Sequence, residues 1–168
     1  QKIGEIWGYE TVGIFQNSGD VAKAANQDQL GNSGKWGAGD VQYAYLNGDG
    51  FINPGANTVT NPGDRKIIGN NLPQYQYGIT GNVSWKGFDF NFFIQGVGKR
   101  NTVPTGAYFW GGIENAAAVG TREVYANSWS LQSPDAYYPI YKAGSTFNIV
   151  PQTRYLQNSA YLRLKNVT

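Results

Sequence analysis

The chain has 168 residues, 23 of them Gly, with 15% aromatic and only 14% charged side chains and a formal net charge of +2. No basic cluster is present to neutralise phosphates, so a nucleic-acid partner is disfavoured. Cys, His and Met are absent, which removes disulfides, thiolate metal sites and His-based triads and leaves an acid–base enzyme with carboxylates alone.

No window keeps a 3.6-residue apolar period, so the composition predicts an all-β chain with little helix. No apolar run is long enough for a transmembrane helix, which does not bear on a β-barrel. A start at Gln1, without an initiator Met or signal peptide, is what a processed product or a segment of a longer protein would have.

Residues 1–16 (QKIGEIWGYETVGIFQ) predict a strand or two, with Ile6, Trp7, Tyr9 and Val12 to Phe15 as strand residues and Gly4, Gly8 and Gly13 as breaks. Residues 17–39 are polar and read as an exposed loop. Within it, Val21 to Gln29 predicts a short helix with Asp20 as N-cap.

Residues 39–69 hold the one motif with ligand chemistry, GDVQYAYLNGDGFIN. Its core resembles the middle of a calcium loop, where oxygen ligands alternate and a Gly permits the sharp turn. The candidate calcium ligands are Asn47, Asp49, the Phe51 carbonyl and Asp64, with Asp40 a further carboxylate nearby. The motif is incomplete, because Tyr45 stands where the first acid belongs and Ala56 where the last one does. Asn-Pro-Gly occurs at 53–55 and again at 61–63, like a local insertion. The alternative is a metal-free turn, since Asn, Asp and Gly are turn residues in any case.

Arg65 to Gly69 is a short apolar step closed by Asn-Asn-Leu-Pro. Then come the two strongest strands. From Tyr75 to Trp85, Tyr75, Tyr77, Ile79, Val83 and Trp85 share one face, opposite Gln76, Thr80, Asn82 and Ser84. From Phe88 to Val97, Phe88, Phe90, Phe92 and Ile94 alternate with Asp89, Asn91 and Gln95, and only Phe93 breaks the period. Lys86-Gly87 between them predicts a two-residue hairpin turn. The runs hold 11 and 10 residues, where soluble strands usually hold about 5–6 and tilted transmembrane strands about 9–11. Aromatic residues gather at the strand ends, where a barrel carries its interfacial girdle.

Residues 98–160 lack clear periodicity and read as one long loop, with a helix predicted over 114–126. Trp110, Trp129, Tyr137 and Tyr138 are the candidate substrate-binding residues, as rings that could stack on a sugar or hold a peptide. The alternative is that they pack the loop against itself. Asp135, Glu114 and Glu123 are the carboxylates a glycosidase would need, but nothing in the sequence pairs them. From Tyr161 the chain alternates again (YLRLKNVT) and runs to Thr168 without a turn.

Four stretches together, WGYETVGIFQ, GDVQYAYLNGDGFIN, GDRKIIGNNLPQYQYGITGNVSWKGFDFNFFIQGVG and YLRLKNVT, resemble in order the motifs near the C-terminus of SusC/RagA-like TonB-dependent outer-membrane transporters. The resemblance implies antiparallel strands of a large transmembrane β-barrel with long extracellular loops. In this division residues 1–74 form an extracellular loop and strand region, 75–97 a transmembrane hairpin, 98–160 a long extracellular loop and 161–168 the start of the next strand. It implies a Gram-negative outer-membrane location and contact with lipid. It also implies import of a glycan or peptide ligand without bond chemistry, with TonB and a SusD-like surface lipoprotein as partners. The short turn at Lys86-Gly87 would face the periplasm, and Asn82, Ser84, Asp89, Asn91 and Gln95 would line the lumen. The other reading kept open is a soluble or surface-attached carbohydrate-binding β-domain, steadied by calcium.

Overall fold

A computed structural model describes residues 2–31 and 36–168, so four residues of the polar 17–39 stretch lie outside it. Among the described residues the strands are β1 (Glu5–Tyr9), β2 (Thr11–Ile14), β3 (Val41–Tyr43), β4 (Arg65–Asn70), β5 (Tyr75–Trp85), β6 (Phe88–Gly98), β7 (Asn101–Thr102), β8 (Gln157–Asn158) and β9 (Tyr161–Val167). They pair antiparallel throughout, as β1–β4, β2–β3, β5–β6–β9 and β7–β8. Among the described residues helix is confined to short turns, and no helix is long and apolar enough to cross a membrane. The all-β expectation therefore holds.

The β5–β6 hairpin follows the predicted register without a slip, from Tyr75↔Gly98 to Trp85↔Phe88. Lys86 and Gly87 close it with φ of 46° and 86°, the doubly left-handed backbone that a two-residue turn needs to match strand twist. Because facing residues share a side, Ile79, Val83 and Trp85 line up with Ile94, Phe90 and Phe88 on one face. Asn82, Ser84 and Thr80 line up with Asn91, Asp89 and Phe93 on the other.

β9 extends both faces. Leu162 and Leu164 oppose Gly96 and Ile94, and Arg163 opposes Gln95. The register then shifts, with Asn166 opposite Phe93 and Val167 opposite Phe92. Lys165 is the extra residue of this bulge. Strict alternation would put Asn166 on the apolar face. The bulge moves it to the polar one and restores Val167 to the apolar set.

Glycines in this sheet make room for rings. A Cβ on Gly98 would fall 2.0 Å from the Tyr75 ring, on Gly96 2.2 Å from Tyr77, and on Gly81 2.2 Å from Phe92. Each ring lies across the strand onto its bare partner, an arrangement that covers backbone a glycine leaves open. Phe93, the residue that breaks the alternation, does the same on the polar face for Gly78, at 3.1 Å.

The remaining residues form one packed body from both long arms. One core holds Tyr9, Val41, Tyr43 and Ile52; the other holds Trp110, Ile113, Val124, Tyr138 and Tyr155. The arms are joined by backbone: the Tyr9 amide donates to the Pro151 carbonyl, Thr153 to Tyr9, and Ile140 to Gly39. Gly8 is therefore no strand break. It lies within β1, where the Pro151 carbonyl approaches to 2.5 Å of a would-be Cβ.

Two helix expectations need correction. The first helix spans Ser18–Lys23, and its cap is Asn17, whose side chain accepts from the Asp20 amide. Asp20 sits in the first turn, where a carboxylate still favours the helix dipole. In the second arm the helices are Ala107–Trp110 and Arg122–Ala126, the latter capped by Thr121. The predicted helix over 114–126 is cut short because Gly120 packs edge-on against Gly111 and the Tyr141 hydroxyl.

Gly39 joins the arms at a left-handed φ of 89°, and a Cβ there would lie 2.6 Å from both Ile140 Cβ and the Trp129 ring. Gly39→Ala combines backbone strain with overpacking, together about 2 kcal/mol or more. Exchange of the Phe15 and Ile140 amides, which bond to Asp40 and Gly39, should rise roughly thirtyfold. Unchanged exchange would mean that the arms are not coupled here.

Candidate functional site

Apart from the buried end of β6 at residues 96–98, neither face of the β5–β6–β9 sheet is covered among the described residues. Ile79 is 53% exposed, Val83 58%, Trp85 65%, Phe88 75% and Leu162 63%. Eleven residues at about 3.3 Å each, tilted about 40°, reach about 25 Å across a bilayer, the height of the apolar band on an outer-membrane barrel. The sheet thus presents a continuous apolar face, bounded by Tyr75 and Tyr77 at one end and by Trp85 and Phe88 at the other. The opposite face carries Asn82, Ser84, Asp89, Asn91, Gln95 and Arg163.

The calcium-like loop is organised by hydrogen bonds. Asp64 is fully buried. Its Oδ1 accepts from the Leu46 and Asn47 amides at 2.7 and 3.3 Å, and its Oδ2 from the Asn53 amide at 2.9 Å. Asp49 accepts from the Phe51 amide at 3.0 Å and from the Asn47 and Asn53 side-chain amides at 2.9 and 2.7 Å. The Phe51 amide bond, then the Asn53 bond, holds the Asp49 carboxyl below its ordinary value. A hard cation needs oxygen lone pairs turned towards it. Each carboxylate oxygen of Asp49 and Asp64 accepts at least one N–H donor, so the loop is closed by hydrogen bonds as a turn that does not depend on an ion for its shape.

The two Asn-Pro-Gly repeats form the neck of the insertion. Gly55 and Gly63 abut so closely that a Cβ on either would lie 2.4 Å from the other's amide nitrogen. Arg65 straps the loop by donating to the Pro54 carbonyl and to Asn57, both at 2.8 Å.

Of the four candidate substrate-binding rings, three are spent on packing. Trp110 is 1% exposed, Tyr138 5% and Trp129 7%. Trp110 sits edge-on to Tyr155 at 4.6 Å, and the indole N–H of Trp129 donates to Gln16 Oε1 at 3.1 Å. Only Tyr137, 42% exposed, keeps a ring towards solvent. Asp135 lines a shallow polar cleft with Arg154 and Gln16.

A buried polar network holds β3, which sequence reasoning missed. Gln27 donates to the Val41 carbonyl at 2.8 Å and accepts from the Tyr43 amide at 3.1 Å, so its side chain acts as a strand neighbour. Asn148 accepts from the Val41 amide and donates to Asp40 Oδ1 at 2.8 Å. Tyr43 donates to the Phe147 carbonyl and accepts from Gln152. Burial pushes the Asp40 carboxyl up, against the Asn148 and Gly37 hydrogen bonds and the Lys142 charge, and pushes the Tyr43 hydroxyl well up. Burial also pushes Tyr9 up to about 12.

No protein-family model matches the chain. It is similar to TonB-dependent receptor P3 of Formosa agariphila, 29% identical over 169 aligned residues that take in the whole chain. It is also similar to TonB-dependent receptor P26 of the same organism, 26% identical over 164 residues and 94% of the chain. The chain spans about 15% of the length of these curated relatives. The likeness covers the sheet and both arms of the loop body alike.

Two outcomes follow. Asp64→Asn sets an amide NH2 against backbone N–H donors and should cost about 1–3 kcal/mol. Exchange at Leu46, Asn47 and Asn53 would report the loss. Adding calcium or a chelator should leave wild-type exchange unchanged, and protection that depends on calcium would restore the metal reading.

Asp40 binds its proton more tightly folded than unfolded. It therefore lowers stability as pH rises from the ordinary value of 3.8 through its own raised one. In Asp40→Asn that fall should flatten, read as the slope of urea midpoint against pH. An unchanged slope would show that Asp40 is not the titrating group.

Proposed function

We propose that this chain forms a stretch of wall, with its outer loops, in a TonB-dependent outer-membrane importer of the SusC/RagA-like kind. The carrying observation is the sheet. It is long enough for a bilayer, apolar on one face, mainly polar on the other, and largely uncovered on both except at the end of β6. A water-soluble domain rarely leaves a contiguous apolar face of this size open, and bilayer lipid is the natural cover for it. The similarity to two TonB-dependent receptors along nearly the whole chain supports the same reading.

In this reading β5, β6 and β9 stand in the outer membrane, with the Lys86-Gly87 turn towards the periplasm. Both long arms then lie outside the cell as one packed body. There they meet a glycan or oligopeptide ligand and a SusD-like lipoprotein, while TonB acts through another part of the receptor. The segment binds and guides; it breaks no bonds. Tyr137 and the neighbouring Asp135–Arg154 cleft are the exposed groups through which it would touch ligand.

Spin labels test the placement in the intact receptor, reconstituted in lipid. Labels at Ile79, Val83, Phe90 and Ile94 should be accessible to oxygen and shielded from a water-soluble relaxant, and labels at Asn82, Asn91 and Gln95 the reverse. Shielding of the first set from both agents would mean a protein core, and would favour the soluble carbohydrate-binding β-domain instead.

A further inference from the structure

We infer that the outer end of the apolar face holds a site for the phosphate-bearing headgroup of an outer-leaflet lipid, built on Tyr75, Tyr77 and Lys99. The inference rests on the proposed placement of β5–β6–β9 in the membrane. A shallow concavity of about 420 Å³ opens where β5 begins and β6 ends, and Tyr75, Tyr77, Gly98, Lys99, Asn158 and Ala160 line it. Its floor is aromatic. Gly98 and Gly96 are bare where the two Tyr rings lie across them. The rings stack at 6.4 Å with a 30° interplanar angle and remain 53% and 39% exposed.

Lys99 supplies the charge. The ladder breaks between β6 and β7, and Lys99 occupies the break at φ 46°. It is exposed, and among the described residues no carboxylate lies within ion-pairing distance of it. The other lysine that flanks the hairpin differs. Lys86, at the opposite end, lies over the Trp85 ring at 4.9 Å, so its charge already faces a π-system. Only the outer end therefore combines an unpaired ammonium with open tyrosine faces.

That chemistry selects the occupant. Lipid tails alone would leave the ammonium without an anion, and a neutral sugar would not need it. A phosphorylated headgroup supplies the anion to Lys99, lays its carbon skeleton on Tyr75 and Tyr77, and offers hydroxyls to Asn158. Its acyl chains continue down the apolar face over Ile79 and Leu162. Tyrosine belts sit at this depth because the ring is apolar and the hydroxyl wet.

The test uses the intact receptor in neutral detergent, titrated with lipid A and with dephosphorylated lipid A and read by native mass spectrometry. Lys99→Gln should cut the lipid A-bound fraction at least fivefold, and Lys99→Arg should restore it. Tyr75→Ala combined with Tyr77→Ala should also reduce it. Variants are compared only where the heat-modifiable band of a folded barrel is kept, and Lys99→Arg controls for the strained backbone. Equal binding by Lys99→Gln, or by the dephosphorylated lipid, would overturn the site. Displacement by millimolar inorganic phosphate would reduce it to a site for free anions and overturn the lipid assignment. If the receptor leaves cells without detergent as a soluble protein, the wall placement fails and this inference with it. If it is integral and Lys99→Gln binds normally, the headgroup site alone fails.

Discussion

A strand in hydrocarbon has no water to bond its amides and carbonyls, so each must find its partner on a neighbouring strand. The eleven-pair ladder of β5 with β6, and its continuation to β9, meets that demand over the height of a bilayer. Everything else in the sheet follows from keeping this ladder in register. A slip of one residue would exchange the two faces, moving Ile79, Val83, Phe90 and Ile94 to the polar side and Asn82 and Asn91 to the apolar one, which in the proposed placement faces lipid. The left-handed Lys86-Gly87 turn pins one end, and the Lys165 bulge corrects the other. The outer edges of β5 and β9 remain unpaired among the described residues. In a membrane each would need a further strand, and the relatives matched here are several times longer than this chain.

Outside the sheet the same demand is met differently. Water is available there, but the loop body buries backbone all the same. It compensates with side chains: Gln27 and Asn148 bond the amides and carbonyl of β3, and Asp64 gathers three amides of the 46–53 loop. Gln27 and Asp64 act within the first arm, and Asn148 reaches across from the second; removing any of them would orphan buried donors or acceptors.

This difference explains what could be read from sequence. The hairpin was legible to within a residue, β6 running one position further to Gly98, because its information is local, with period two, a two-residue turn containing Gly and unlike faces. Phe93 seemed an exception until its ring was found to lie over Gly78, 15 positions away and diagonal to its own partner Thr80. The loop body was not legible because its contacts are not local. Trp110 has the composition of a ligand-stacking residue, and its burial depends on Tyr155, 45 positions away. The calcium-like spacing of Asn47 and Asp49 was visible, but the N–H donors that fill their oxygens come partly from Asn53, and the loop closes on Asp64 across an insertion. One signal was available and passed over. Thr121 with Glu123 in the next turn is a better helix start than Glu114, since a side-chain oxygen at the cap and an acid behind it satisfy the first amides.

A joined loop body has a mechanical consequence. In the proposed placement separate loops could open and close one by one, but arms joined through Tyr9, Gly39, Pro151 and Asn148 are coupled to one another. They meet the sheet through a few bonds: Gln74 to the Lys99 carbonyl, Ser159 to the Arg100 carbonyl, Arg100 to the Asn71 carbonyl, the Asn70 amide to Asn101 Oδ1, Thr102 with Ser159 and the two-residue β7–β8 ladder. The junction between body and sheet therefore lies beside the tyrosines and Lys99. Motion of the outer body relative to the wall would be taken up at Lys99 and Arg100, where the ladder is already broken. A headgroup held there would sit at the hinge, so lipid at the rim and the position of the loops would be coupled through one short stretch of backbone.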